Sequence, residues 1–378
     1  VDGGRVSNIA EHLTVQDGDQ VIEGANMLLL PGFVDAHTHA DKTLIGQEWH
    51  SHRAGPSVHD RILNEREVLR SLEIDSQVQS ERLVRRMIAR GTTHIRTHVD
   101  IVPEIGLKHL DGVVATRDRY AGRIDIQIVA FPQLGVMAAP GTAELLNSAL
   151  QAGADVVGGL DPMAIDRDPK GQLDAIFSMA EHFGCGVDIH LHESGDLGAA
   201  TLDMIIDRTR ACALQGHVVV SHAFCLGSVT PARLETLMRG LADADIAIMT
   251  HGPSGGLPSP PVRYLHDSGV RVFSGSDGVR DAWGPLNTGD MLERAYLVSY
   301  INGFRHDDDL ELALHMATYA GAQVLGLPSY GLDVGCPADL VLVKADNAAH
   351  AVAEHPVRAL VMKNGEIVAR DGECLIFI

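Results

Sequence analysis

The chain has 378 residues, 45% of them hydrophobic and 21% charged, with a formal net charge of −20. That size and balance suit one large domain with an appendage and a sizeable core. The acidic surplus excludes the basic face that nucleic acid requires and disfavours an anionic membrane surface, so neither is expected as a partner.

The five cysteines, Cys185, Cys212, Cys225, Cys336 and Cys374, are scattered and form no CxxC pair. No run of about 18 apolar residues is present to span a membrane, and no signal peptide stands at the visible start. A reducing, cytoplasmic setting is therefore expected. Nothing in the composition opposes a homo-oligomer.

Residues 1–31 carry Gly-rich turns and short alternating segments ending in Met27-Leu28-Leu29-Leu30-Pro31. Val1-Asp2-Gly3-Gly4-Arg5 reads as the turn of a hairpin lacking its first strand. These are a few small strands that cannot bury a core alone. From residue 32 a different rhythm begins. Strand-like runs fall at Phe33–His37, Thr93–His98, Ile124–Phe131, Ala154–Leu160, Gly186–Leu191, His217–Ser221, Ile246–Thr250 and Val270–Ser274. Helical spacing lies between them, clearest at Glu81–Ile88 and Gly171–Phe183. Thr142 is the expected N-cap of another helix, Thr142–Ala152. Eight such alternations over about 250 residues predict a (β/α)8 barrel. A doubly wound sheet is the alternative, but no glycine-rich dinucleotide fingerprint supports it.

A helical pattern over Asp308–Leu325 closes the barrel, which is placed at residues 32–326. Residues 327–378 return to short strands, Leu340–Val343 and Ala359–Met362, followed by the turn Lys363-Asn364-Gly365-Glu366. The two ends, 1–31 and 327–378, are expected to pair into a small β-sandwich beside the barrel.

A barrel carries its active site at the C-terminal ends of its strands. Five of the eight predicted strand ends bear histidine: His37 and His39, His98, His190 and His192, His222, and His251. The others end in Gln133, Asp161 and Asp277. His37 and His39 are two apart, so an extended backbone points both imidazoles to one side. One histidine at a strand end is ordinary. Five together point to a metal or proton-transfer site. Imidazoles with a carboxylate suit one divalent ion, Zn2+ first and Fe2+ next, which activates water for attack. Asp277 is the carboxylate expected to complete the ligands, and Glu193, three residues after His190, is a candidate acid–base group. HExxH, GxSxG, P-loop and HxE…PCxxC patterns are all absent.

Pro31-Gly32-Phe33-Val34-Asp35-Ala36-His37-Thr38-His39 resembles the first-strand signature of the amidohydrolase superfamily, and Gly335–Leu342 resembles its return into the β domain. Thr97–Asp100, Val129–Gln133, Ala154–Gly159, Ser221-His222 and Asp281–Leu286 resemble the cytosine deaminase branch. Val157–Pro162 and His190–Gly195 resemble the isopropylammelide aminohydrolases of triazine degradation. The resemblance covers essentially the whole chain. It implies hydrolysis of the bond between a nitrogen heterocycle and an exocyclic amine: cytosine-like deamination, with alkylamine release from a triazine as the alternative. It implies that His37, His39, His190 and Asp277 bind one metal. Glu193 would protonate the ring, His222 would orient the hydroxide, and Asp277 would take its proton. Gln133 and His192 would contact the ring, and Trp283 would wall the pocket. Where dinuclear members carry a carboxylated lysine, this chain has Gly158-Gly159-Leu160-Asp161, so one metal is expected; Lys42 is a less favoured bridge. Gly278 replaces an acidic residue of cytosine deaminases, which is expected to leave room and remove an acceptor.

Overall fold

The computed structural model describes residues 1–377. After β1 (Leu28–Pro31) come eight strands: β2 (Phe33–Thr38), β3 (Thr92–Asp100), β4 (Asp125–Phe131), β5 (Val156–Leu160), β6 (Gly186–Leu191), β7 (Val218–His222), β8 (Ala247–Thr250) and β9 (Val272–Ser274). They lie side by side in chain order, and every ladder is parallel. Two helices, α1 (Val58–Leu72) and α2 (Ser76–Ala89), precede β3. Single helices join the later strands: α3 (Lys108–Arg119), α4 (Thr142–Gln151), α5 (Pro169–Phe183), α6 (Gly195–Ala211), α7 (Pro231–Asp243) and α8 (Val262–Asp267). The fold is the (β/α)8 barrel that the alternation predicted.

Strand periodicity separates core from site. In β6, Val187, Ile189 and Leu191 enter the large apolar core, whereas Asp188 and His190 take the other face. β3 divides alike: Ile95 and Val99 join the core, and Arg96 reaches Asp188 at 3.1 Å.

Closure is made without a regular ladder between β9 and β2. The Asp277 amide donates to the His37 carbonyl at 2.8 Å, and the Ser276 amide donates to Asp35 Oδ1 at 2.9 Å. Gly275 permits this seam, since a Cβ there would stand 2.5 Å from His37 Cβ.

Two local expectations change. Thr142 does not cap α4. It is the first helical residue after Gly141, whose φ is 93°, and its buried hydroxyl takes no hydrogen bond among the described residues. After α9 (Met291–Ile301), the helix expected over Asp308–Leu325 is two, α10 (Asp307–Met316) and α11 (Tyr319–Val324). The break is at Thr318, whose backbone is non-helical and whose hydroxyl bonds the Leu314 carbonyl at 2.8 Å. It frees α11 to pack Ala320 and Ala322 against Val34 and Phe273.

The second sheet is antiparallel, in the order β1, β10 (Leu340–Val343), β11 (Arg358–Lys363), β12 (Glu366–Arg370), β13 (Glu373–Cys374). A short helix, α12 (Ala348–Glu354), lies between β10 and β11. Both ends of the chain build this sheet, but the N-terminal side supplies one strand rather than several. The layers against it are not a second sheet. Helix α2 packs on β11 to β13, and irregular chain adds Val6 and Ile22 to Leu340, Leu360 and Met362. The intervening N-terminal residues are largely exposed, too polar to bury another sheet face. Buried Lys363 ties the units together, with Nζ 2.6 Å from Asp125 of β4 and 2.7 Å from Asp339.

Candidate active site

The histidines of five strand ends converge at the mouth of the barrel. His39 Nε2 lies 3.3 Å from His190 Nε2 and 3.3 Å from Asp277 Oδ1, and His37 Nε2 lies 3.6 Å from the same oxygen. Ligands at about 2.0–2.1 Å from one tetrahedral centre sit roughly 3.4 Å apart, so these spacings fit a single ion. Two overlapping quartets have ligand atoms within 4.8 Å of one another: His37, His39, His98, His190, and His37, His190, His222, Asp277. His37 Nε2 and His222 Nε2 are buried with no hydrogen bond among the described residues.

The electrostatics suit metal binding, which needs neutral imidazoles and an ionised carboxylate. Burial, aided by His98, lowers His37 to about 3. Burial and the neighbouring imidazoles hold His190 and His222 well below their ordinary values. Burial alone would raise Asp277, but the adjoining imidazoles of His37 and His39, aided by His222 and His251, hold it well below the usual carboxylate range.

A polar relay orients His37. Ser221 Oγ donates to Asp188 Oδ1 at 2.8 Å and lies 3.0 Å from His37 Nδ1. A hydroxyl has one proton to give, so His37 Nδ1 donates to it and Nε2 keeps its lone pair for the site. Asp188 is held in turn by Arg96. Neither Asp188 nor Arg96 was picked out from the sequence. The available signal was an ionisable residue in the middle of an otherwise buried strand.

Backbone strain gathers at the same place. Asp161 (φ 34°), His222 (φ 72°) and Asp277 (φ 61°) all lie in the left-handed region. For residues other than glycine this costs about 1–3 kcal/mol each and is characteristic of functional strand ends.

Asp161 Oδ2 stands 2.8 Å from His192 Nδ1, and the His192 ring stacks on His222 at 4.5 Å between centroids. The Trp283 ring is 6.1 Å from that of His192. Glu193 stands apart from the quartets. Its Oε1 accepts the Met163 and Ala164 amides at 2.8 Å each, and its Oε2 accepts the Thr201 hydroxyl. Burial raises its pKa despite these donors.

Helix α1, missed in the sequence, brings Glu65 to the mouth. Its signal was the capping box Ser57…Asp60. Buried Lys42 contacts Asp100 at 2.8 Å and Glu65 at 3.1 Å. Burial lowers the Lys42 pKa, but Asp100, Glu65 and Asp41 together raise it above the ordinary lysine value. A lysine held protonated cannot be carboxylated into a bridge. Gln133 Nε2 donates to Glu65 Oε1 at 2.8 Å, fixing the amide. The room expected above Gly278 is taken: a Cβ there would collide with the Asp281 carboxylate.

A parallel barrel that gathers buried histidines around Asp277 at its C-terminal mouth has the layout of a metal-dependent barrel enzyme. Residues 20–369 match the model of the amidohydrolase family. The chain belongs to that family, hydrolases of C–N bonds that generally bind a divalent metal. It is 45% identical to the crystal structure of N-isopropylammelide isopropylaminohydrolase from Burkholderia multivorans, with a TM-score of 0.95 over 99% of this chain and 95% of that one. It is 31% identical to N-isopropylammelide isopropyl amidohydrolase of Pseudomonas sp. strain ADP, over 93% of this chain and 88% of that protein. The structure of 5-methylcytosine deaminase from Klebsiella pneumoniae superimposes at 27% identity and TM-score 0.88, covering 100% of this chain and 94% of that one. Among the described residues no helix is long and apolar enough to cross a membrane.

Proposed function

We propose that the protein hydrolyses the bond between a nitrogen heterocycle and its exocyclic amine, with an alkylamino-triazine as the substrate class. The observation that carries this is the convergence of His37, His39, His190 and Asp277 at the barrel mouth. The 45% identity to an isopropylaminohydrolase supports alkylamine as the leaving group. Cytosine-like deamination is the second reading, favoured by the 27% identical deaminase.

In this reading His37, His39, His190 and Asp277 hold one divalent ion, Zn2+ or Fe2+. When bound, the ion supplies the Lewis acidity that lets water ionise near neutral pH. His222, neutral and with Nε2 free, orients the attacking oxygen. Asp277 accepts its proton: Oδ1 faces His37 and His39, and Oδ2 lies 3.9 Å from His251. Glu193, raised by burial, delivers the proton to the ring nitrogen. Gln133 and His192 position the ring edge, and Trp283 covers its face. Each of these groups is on a strand end or the loop beyond it, so the barrel sets their spacing.

The experiment is an amine-release screen of metal-reconstituted protein, read by mass spectrometry. N-alkylammelides, cytosines and pterins are the substrates. Alkylamine from the ammelides is expected to dominate. Ammonia from cytosines alone would select the second reading, and no amine from any ring would overturn both.

A further inference from the structure

We propose that the cleft between α1 and the β3–α3 loop is a second ligand site, one that takes a small organic carboxylate. The carboxylate is held by His109, Lys108 and the first turn of α3, and its apolar body lies between the cleft walls. The inference is independent of the proposed reaction, since none of His37, His39, His190, His222 and Asp277 lines this cleft. Gln133 and Glu65 do line it, so it adjoins the barrel mouth.

The cleft holds about 550 Å³, within the roughly 300–1,000 Å³ typical of small-molecule sites. Leu69 and Ile74 from α1 and the turn after it, Val102 and Ile105 from the β3–α3 loop, and Leu134 beyond β4 give it apolar walls. His109 also lines it and is 6% exposed. Its Nδ1 stands 2.9 Å from Asp41 Oδ2, and a carboxylate only accepts, so Nδ1 carries a proton there. Nε2 has no partner among the described residues and is not one of their sealed polar atoms, so it opens onto the cleft. Burial lowers the His109 pKa, but Asp41 and Asp100 more than reverse this, which favours the imidazolium and makes Nε2 a donor.

Helix α3 begins at the same place. Leu107, at its N-cap, supplies no side-chain acceptor, and the His109 and Leu110 amides find none among the described residues. The free amides of a helix start attract an anion. Exposed Lys108 adds a full charge beside them. The carboxylates in the cleft are mostly committed elsewhere. Arg66 holds Glu104 at 3.1 Å and Arg70 holds it at 3.2 Å, while Lys42 holds Asp100 at 2.8 Å and Glu65 at 3.1 Å. Among the exposed and half-buried lining residues, the cations Arg66, Arg70 and Lys108 outnumber the carboxylates Glu73 and Glu104. One positive charge is therefore left for a ligand.

Calorimetric titration of the metal-reconstituted protein with benzoate and with hexanoate tests this, a flat and a flexible apolar body on the same head. At least one is expected to bind saturably with Kd below about 1 mM. Its uncharged amide, benzamide or hexanamide, should bind at least about tenfold more weakly, because hydrogen bonds to a charged acceptor are the stronger ones. His109→Gln keeps a donor for Asp41 but turns an oxygen toward the cleft, and should weaken binding about tenfold or more. Lys108→Met, at an exposed position that the fold does not depend on, should weaken it about threefold to tenfold. Metal content is expected to stay at the wild-type level in both variants. No saturable binding of either acid, an amide that binds as tightly as its acid, or an affinity within twofold of wild type in both variants would overturn the proposal.

Discussion

Ser221 Oγ lies 3.0 Å from His37 Nδ1, and this contact decides which nitrogen of His37 faces the site. Ser221→Ala removes the acceptor for the Nδ1 proton and leaves Asp188 without the hydroxyl proton. Metal affinity should fall about 10- to 100-fold, as for other groups that orient a ligand. Competition with a chromophoric chelator measures it. Affinity within twofold of wild type would mean that the relay does not set the tautomer.

Removal of the metal should abolish amine release, and added Zn2+ or Fe2+ should restore it. The imidazoles of His37, His190 and His222 are held neutral by burial, so reconstitution should succeed at neutral pH without denaturation. Dialysis against a strong chelator followed by titration with each ion tests this. Turnover that survives full chelation would exclude the ligand assignment.

Glu193→Gln should lower kcat by about 100- to 10,000-fold while metal content stays at the wild-type level. Glutamine can keep its oxygen toward the Met163 and Ala164 amides and offer its NH2 to a reoriented Thr201 hydroxyl, so the fold is expected to tolerate it. Steady-state kinetics with metal analysis gives the answer. Near-normal kcat would remove Glu193 from proton transfer and leave it a purely structural cap on the loop after β5.

Lys42→Met should destabilise the protein by about 3–5 kcal/mol, because Asp100 and Glu65 lose their shared buried counter-charge. Urea unfolding compared with wild type reads this. A loss under 1 kcal/mol would mean that the carboxylates take up protons at no cost.

Acid should loosen the junction between barrel and small sheet. Burial raises the Asp125 carboxyl, but His94 and Lys363 more than reverse this, leaving its pKa below the ordinary 3.8. A group depressed on folding contributes stability above its unfolded pKa and loses it as pH falls through the folded value. Half of this carboxylate is exposed, so water screens it and the contribution is modest. Asp125→Asn should flatten the decline in urea midpoint below about pH 4. A decline as steep as in wild type would assign acid sensitivity to other groups.

The barrel was legible because several strands write their core face in Val, Ile and Leu at every second position, as in Val187, Ile189 and Leu191 of β6. The histidine cluster was legible because histidine is conspicuous at strand ends, above all in His37-Thr38-His39. The groups that position the cluster were less so. Asp188 and Arg96 look like interruptions of a strand until the fold places them 3.1 Å apart. Glu65 looks like one more helix-surface carboxylate, and only the packing of α1 over the mouth buries it. Gly278 suggested empty space because its neighbour in the fold, Asp281, is assigned by the return of a loop rather than by spacing.

The seam between β9 and β2 bears on how the protein is made. Thr38 Oγ1 donates to the Asp277 carbonyl across 239 positions of sequence. During synthesis His37, His39 and His190 emerge well before Asp277, on a wall that is still open. A nascent chain thus has imidazoles to offer but neither the carboxylate nor the enclosure. Tight uptake at the proposed four-ligand site would therefore await release of β9 from the ribosome. An ion held by His37 and Asp277, as proposed, would grip both margins of the sheet, and any opening along the seam would forfeit its binding free energy. The cofactor proposed for catalysis would thereby also fasten the barrel shut.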